Sequence, residues 1–189
     1  FSWVGVELTG VIKLDAPPKP LPEFGAEFEL KALGRAELAQ AQEIAALAHS
    51  HNHFEYDPLL ETSEARRLFQ EQVALHFMSE RSRPFGVSRS ATAHSSEELF
   101  GFIVANKVHS FEPFGGPLLA NLDFISVHPK RQLKGIGHAL NVLALQWLYQ
   151  EGVRRVSVRT MVNNFAAQAI LSRVGWRAQL AEAVFHLHL

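Results

Sequence analysis

The chain has 189 residues, 47% of them apolar and 20% charged, enough to bury the core of one globular domain. Its 18 basic and 19 acidic side chains leave a formal net charge of -1, which excludes a whole-protein field that would gather nucleic acid or an anionic membrane, so any attraction for anions has to be local. The absence of cysteine removes disulfides, thiolate metal sites and a cysteine nucleophile and agrees with a reducing cytoplasm.

No apolar run reaches the roughly 20 residues of a membrane helix, and no signal-peptide pattern opens the chain. The first residue is Phe1, not methionine, which leaves room for residues upstream. Residues 3–14, "WVGVELTGVIKL", are rich in strand formers, and the four prolines of "DAPPKPLPE" after them forbid helix or central strand. Residues 1–26 therefore read as a strand-like appendage and stiff linker, and residues 27–189 as the domain proper. "EFELKAL" alternates like a strand, and Leu38, Ala41, Ile44, Ala45 and Ala48 recur at helical spacing. After the "HSHNHFEYDPLL" loop, Ala65, Leu68, Phe69, Val73 and Phe77 mark a second helix capped by Thr62 or Ser63. "PFGVSRSA" and "LFGFIVANKV" predict an antiparallel hairpin. Then come a loop, the strand "LLANLDFISV", an amphipathic helix over 134–151, the strand "RRVSVRT", a helix in "NNFAAQAILSRVG" that stops at Gly175, and closing strands in "WRAQLAEAVFHLHL".

The turn "RQLKGIGHAL" carries the strongest local signal. It joins a strand to a helix, and at a helix start the first backbone N–H groups lack partners while the helix dipole adds positive charge, so an anion such as phosphate fits there. Lys130, Arg131 and Lys134 add charge, and glycines at 135 and 137 allow close approach. The spelling QxxGxG, from Gln132 to Gly137, is neither a Walker loop nor a dinucleotide fingerprint. Taken alone, the two glycines fit a plain tight turn equally well.

"FISVHPKRQLKGIGHAL" resembles the acetyl-CoA motif of the GNAT N-acetyltransferase superfamily, and the following helix resembles its second motif, with Asn164, Ala167, Ile170, Leu171, Gly175 and Trp176 at the family spacings. The resemblance covers residues 27–189. It implies an α/β (α+β) GNAT acyl-CoA N-acyltransferase fold: a central mixed, mostly antiparallel twisted sheet flanked by helices. It also implies a cytoplasmic acetyltransferase with acetyl-CoA as cosubstrate, a small amine as acceptor, no metal, and a homodimer as the oligomer left open. The backbone amides of Gln132, Leu133, Lys134, Gly135, Ile136, Gly137 and His138 would surround the pyrophosphate. Ile125, Ser126 and Val127 would pair with the pantetheine arm as with an added strand, and Asn164 would hydrogen-bond the cofactor or simply cap its helix.

The family mechanism implied is direct attack of a neutral amine on the thioester, with the oxyanion near the Val127 amide. The usual acid, a tyrosine of the second motif, is replaced by Leu171; Ser172 lies about 100° further around the helix, and Tyr56 is the other hydroxyl candidate. For the base, Asp123 is expected on the same strand face as residues 125 and 127, unless it only binds an amide or a lysine; Glu112 is a weaker candidate. His49, His51 and His53 alternate but lie in a loop without an acidic partner pattern, and His186 and His188 share one strand face, which favours structural or substrate-lining roles over metal ligation. Phe100, Phe102, Phe111 and Phe114 read as packing residues or as walls of an acceptor pocket. "HNHFEYDPLLETSEARRLFQEQV" more loosely resembles dTDP-4-amino-6-deoxysugar N-acetyltransferases, which would make the acceptor a nucleotide amino sugar. Protein N-terminal acetylation and an acyl-CoA sensor without turnover are the competing functions.

Overall fold

A computed structural model describes residues 1–20, 28–48, 53–89, 97–108, 118–132 and 135–188. The chain runs β1 (Ser2–Lys13), β2 (Phe28–Ala32), α1 (Leu38–Ala48), α2 (Thr62–Met78), β3 (Ser82–Arg89), β4 (Glu98–Val108), β5 (Leu119–Val127), α3 (Ile136–Gln150), β6 (Arg155–Met161), α4 (Phe165–Arg173) and β7 (Arg177–His186). The strands form one seven-stranded sheet in the order β2-β3-β4-β5-β6-β1-β7. Every neighbouring pair is antiparallel except β5 and β6. That parallel pair is possible because α3 supplies the crossover between its strands.

β4 reads as a nearly continuous apolar run because both of its faces are covered. Ile103 and Ala105 pack with Leu140, Ala144, Leu145 and Leu148 of α3 and with Leu171 of α4. Their neighbours Phe102 and Val104 pack with Ala41, Ile44 and Ala45 of α1 and with Phe69 and Val73 of α2. Successive side chains of a strand point to opposite faces, so the two helix pairs lie on opposite sides of the sheet.

Two expectations change. The N-terminal strand is not an appendage: β1 lies between β6 and β7, paired from Glu7↔Met161 to Lys13↔Arg155 on one side and from Ser2↔His186 to Val11↔Arg177 on the other. Gly10 is needed there, because a Cβ at this position would lie 2.3 Å from Cε2 of the Trp176 ring, whose Nε1–H donates to the Val158 carbonyl at 3.2 Å. The prolines that follow do keep the chain irregular over residues 14–20, where the Lys19 carbonyl accepts a hydrogen bond from Gln146 of α3. At the other end, "WRAQLAEAVFHLHL" forms a single strand among the described residues. It holds no Gly, Pro, Asn or Asp that would reverse the chain, and β1 supplies the partner strand.

Candidate functional site

β5 and β6 pair only from Leu119↔Arg155 to Leu122↔Val158. Beyond that point they part. The last residues of β5 stay with β4, up to Gly101↔Val127, and the last residues of β6 stay with β1. The ladder between β4 and β5 also skips a residue between Leu122 and Phe124, so Asp123 sits at a bulge where the fork opens. A cleft of about 1000 Å³ fills the fork.

One half of the cleft is walled by backbone and small side chains. Ile125, Ser126 and Val127 line it from β5, with Ile125 and Val127 turned toward the core under α3, as strand alternation requires. Gly135 caps α3 at φ +79°, a left-handed conformation that glycine adopts without strain, and a Cβ on it would meet nothing within 4 Å. The first helical bond closes from the Ala139 N–H to the Gly135 carbonyl at 3.0 Å. The N–H groups of Ile136, Gly137 and His138 thus precede the first intrahelical donor and stand at the positive end of the helix dipole. Two polar atoms of cleft-lining residues, Ser126 Oγ and His138 Nδ1, are buried without a hydrogen-bond partner among the described residues. Burial, followed by the positive charges of Arg173 and Lys19, holds the His138 imidazole below its ordinary pKa.

These features fit acetyl-CoA: orphaned amides and open space for a pyrophosphate, and an unpaired strand edge for an extended arm. Gln132 lines the cleft and donates to the Val127 carbonyl at 3.4 Å. Asn164 lines it as well and caps α4, its Oδ1 accepting from the Ala167 N–H at 3.1 Å. Leu133 and Lys134 lie outside the described residues, as do His49, His51, Phe111, Glu112 and Phe114.

The other half is built from side chains, with Phe54, Phe69, Leu75 and Phe124 set among polar and charged ones. Asp123 reaches the cleft, opposite His76 of α2, whose pKa is lowered by burial while the Asp123 charge pulls it upward. Glu7 of β1 and Arg159 of β6 line the same half, 3.4 Å apart. So does His53, packed on Phe54 with ring centroids 4.1 Å apart. Behind His53, its Nδ1 lies 2.8 Å from His186 Nε2, and His186 Nδ1 is hydrogen-bonded directly to Asp57 Oδ2. Asp57 is buried, only 4% exposed, and its Oδ1 accepts the Leu59 N–H at 2.9 Å. His188 Nε2 stands 3.1 Å from Asp57 Oδ2, so His186 and His188 do share a side and Asp57 is the acid between them.

Two hydroxyl candidates are not brought to the cleft. The Tyr56 hydroxyl accepts from the Asn163 amide at 2.8 Å and does not line it. The Ser172 hydroxyl donates to the Gln168 carbonyl of its own helix at 2.8 Å. Leu171 is buried at 4% exposure in the α3-side core and also borders the cleft. Phe100 and Phe102 are core residues. The meeting of His53, His186 and Asp57, and the places of Glu7, Arg159 and His76, escape a reading of the sequence because these residues come from β1, α2, β6, β7 and the 53–60 turn; Asp57 and His186 are 129 residues apart.

Fold and fork together define a mixed α/β class with a cleft where its sheet splits. Comparison with known proteins narrows it. The Acetyltransferase (GNAT) family matches residues 36–176, so the chain belongs to the GNAT acetyltransferase family. A mycothiol acetyltransferase of Amycolatopsis mediterranei (strain U-32) is 31% identical over 86 residues, 44% of this chain and 28% of that protein. Among solved structures, a GCN5-related N-acetyltransferase from Sphaerobacter thermophilus is similar with a TM-score of 0.64 and 15% identity, over 96% of this chain and 50% of that one. An aminoglycoside N-acetyltransferase in complex with CoA gives a TM-score of 0.59 at 15% identity, over 89% and 99% of the two chains. The chain thus spans about a quarter of that curated relative and half of the Sphaerobacter structure, and the structural likenesses speak for the fold.

Proposed function

We propose that the protein is an N-acetyltransferase that moves an acetyl group from acetyl-CoA to the primary amine of a small molecule by direct attack. The observation that carries this reading is the fork between β5 and β6, with an unpaired strand edge and the orphaned amides of α3 on one side and a cavity walled by side chains, Asp123, His53 and His76 among them, on the other. Bound acetyl-CoA would supply the thioester carbonyl. The Ile136, Gly137 and His138 amides hold the pyrophosphate, the 125–127 edge aligns the pantetheine arm, and the Val127 amide faces the developing oxyanion. Asp123 attracts the cationic amine to the cleft by charge.

With Leu171 in the core, no side chain at that position protonates the departing sulfur. A thiol of pKa about 8.5 leaves as thiolate near neutral pH, and forgoing general-acid help costs about 10² to 10⁴ in rate without stopping the reaction. The acceptor class is a small amine; a nucleotide amino sugar is the particular member that the 51–73 stretch suggests.

Thiol release from acetyl-CoA, followed with a nucleotide amino sugar, a polyamine, an aminoglycoside, an amino-acid amide and a peptide with a free N-terminus in turn, tests the reading. Amine-dependent release supports it. Tight acetyl-CoA binding with no amine-dependent release would instead favour an acyl-CoA sensor, and release only with a peptide N-terminus would favour protein acetylation.

A further inference from the structure

We infer that His53 is the general base of the reaction, and that His186 and Asp57 are positioning residues which fix its tautomer and share its proton. The inference rests on the amine-acetylation reading and adds to it a proton path through three residues outside the cofactor turn and the helix that follows β6.

The hydrogen bonds determine the direction. Asp57, a buried carboxylate, can only accept, so His186 donates through Nδ1–H. A neutral imidazole with its proton on Nδ1 carries a lone pair on Nε2, and that lone pair accepts from His53 Nδ1–H across 2.8 Å. The second nitrogen of His53, Nε2, is thereby left as a lone pair on a ring that lines the acceptor half of the cleft. This is the order of a carboxylate-imidazole pair extended by one imidazole.

Asp57 is equipped to stay charged: burial works against its ionisation, but the Leu59 N–H, the His186 ring and His188 outweigh it, and its pKa lies below the ordinary carboxylate value. His53 is held below the ordinary imidazole value by burial first, then by His186 and Arg159, so the basic form is present at neutral pH. The other titratable groups around the acceptor half are His188, Glu7, His76 and Asp123.

The protons balance as follows. The ammonium gives one proton to His53 Nε2, and the neutral amine forms the new N–C bond as the C–S bond breaks and its electron pair leaves on sulfur. The second nitrogen proton leaves to the thiolate or to water. His53 shares its positive charge through His186 toward Asp57 until the products depart, then returns the proton to solvent.

Asp57, His186 and His188 also offer ligand atoms within 4.8 Å of one another, the spacing of a metal site. The relay is favoured because both His186 nitrogens are already engaged, one on Asp57 and one on His53.

The test combines histidine side-chain 15N NMR with kinetics, using acetyl-CoA and spermidine, glucosamine or glycinamide, whichever is acetylated fastest. In the unaltered chain a proton on His186 Nδ1 is expected at neutral pH. Asp57→Asn should move the His53 titration to lower pH, and the acid limb of the kcat profile should move with it. His53→Gln should lower kcat by about 100-fold with CoA affinity and melting temperature unchanged, and Asp57→Asn by about tenfold or more. An unprotonated His186 Nδ1, a His53 titration indifferent to Asp57→Asn, or an unchanged kcat in His53→Gln would overturn the inference. So would tight binding of one equivalent of zinc to chelator-treated protein that raises kcat. No thiol release with any amine would contradict acetyl transfer itself, and the NMR result would still decide the relay.

Discussion

The two halves of the cleft present different chemistry. On the α3 side the wall offers backbone amides, a strand edge and the space above Gly135, so most side-chain identities there should matter little. On the opposite side Asp123, His53, His76, Glu7 and Arg159 present charge and ring nitrogens, and each identity should matter. A cofactor common to a whole family is held by geometry that a short, regular strand-turn-helix can repeat, whereas an acceptor particular to one enzyme is met by side chains gathered from distant segments.

The contrast can be broken most directly at Gly135. Gly135→Val places a β-branched side chain at a left-handed φ and in the open space where the proposed cradle would hold a phosphate. CoA affinity by calorimetry should fall about 100-fold, roughly 2.7 kcal/mol, and an unchanged affinity would remove the cradle from that turn. The seat of β1 in the sheet is next: Gly10→Ala drives a methyl into the Trp176 ring, and stability to denaturant should drop by about 1–3 kcal/mol. Full stability would mean that β1 is not seated in the sheet as described.

Asp123→Asn sharpens the acceptor side. The Michaelis constant for the amine should rise about tenfold, roughly 1.4 kcal/mol, with kcat less affected and CoA affinity unchanged. A pure fall in kcat would make Asp123 the base. Asn164→Ala should show the tolerance of the cofactor side: lost capping costs about 1 kcal/mol of stability, while CoA affinity should change by less than that of Gly135→Val.

The smallest effect concerns pH. His53, His76 and His138 are all held below the ordinary value of about 6.5. Below that value the unfolded chain binds protons that the folded chain does not, so this stabilisation is present above it and is lost as pH falls through the lowered pKa values. Asp57, also lowered, adds a loss at more acidic pH, below its ordinary carboxylate value. The melting temperature should decline on acidification from about pH 7, and a flat profile would contradict the burial of these rings.

The elements from "EFELKAL" to "RVGW" were legible because their periodicity, Gly175 and the QxxGxG turn are local signals. The place of residues 2–13 was not, because strand formers followed by prolines predict a strand but not which neighbours it joins. Likewise Asn164 could be read as a cap from its position before "FAAQAIL", whereas Tyr56 near "DP" gave no sign that its hydroxyl would bind Asn163. His53, Asp57 and His186 were each visible as residues; their meeting depends on β7 lying beside β1 and passing the 53–60 turn, which no spacing encodes.

A crystal structure with acetyl-CoA bound addresses the central claim most directly. The pyrophosphate should lie on the amides of Ile136, Gly137 and His138, with the pantetheine arm along residues 125–127 in the fork between β5 and β6 and the acetyl group facing His53 and Asp123. Cofactor bound anywhere else, or a fork closed by β5 pairing with β6 along its whole length, would contradict it.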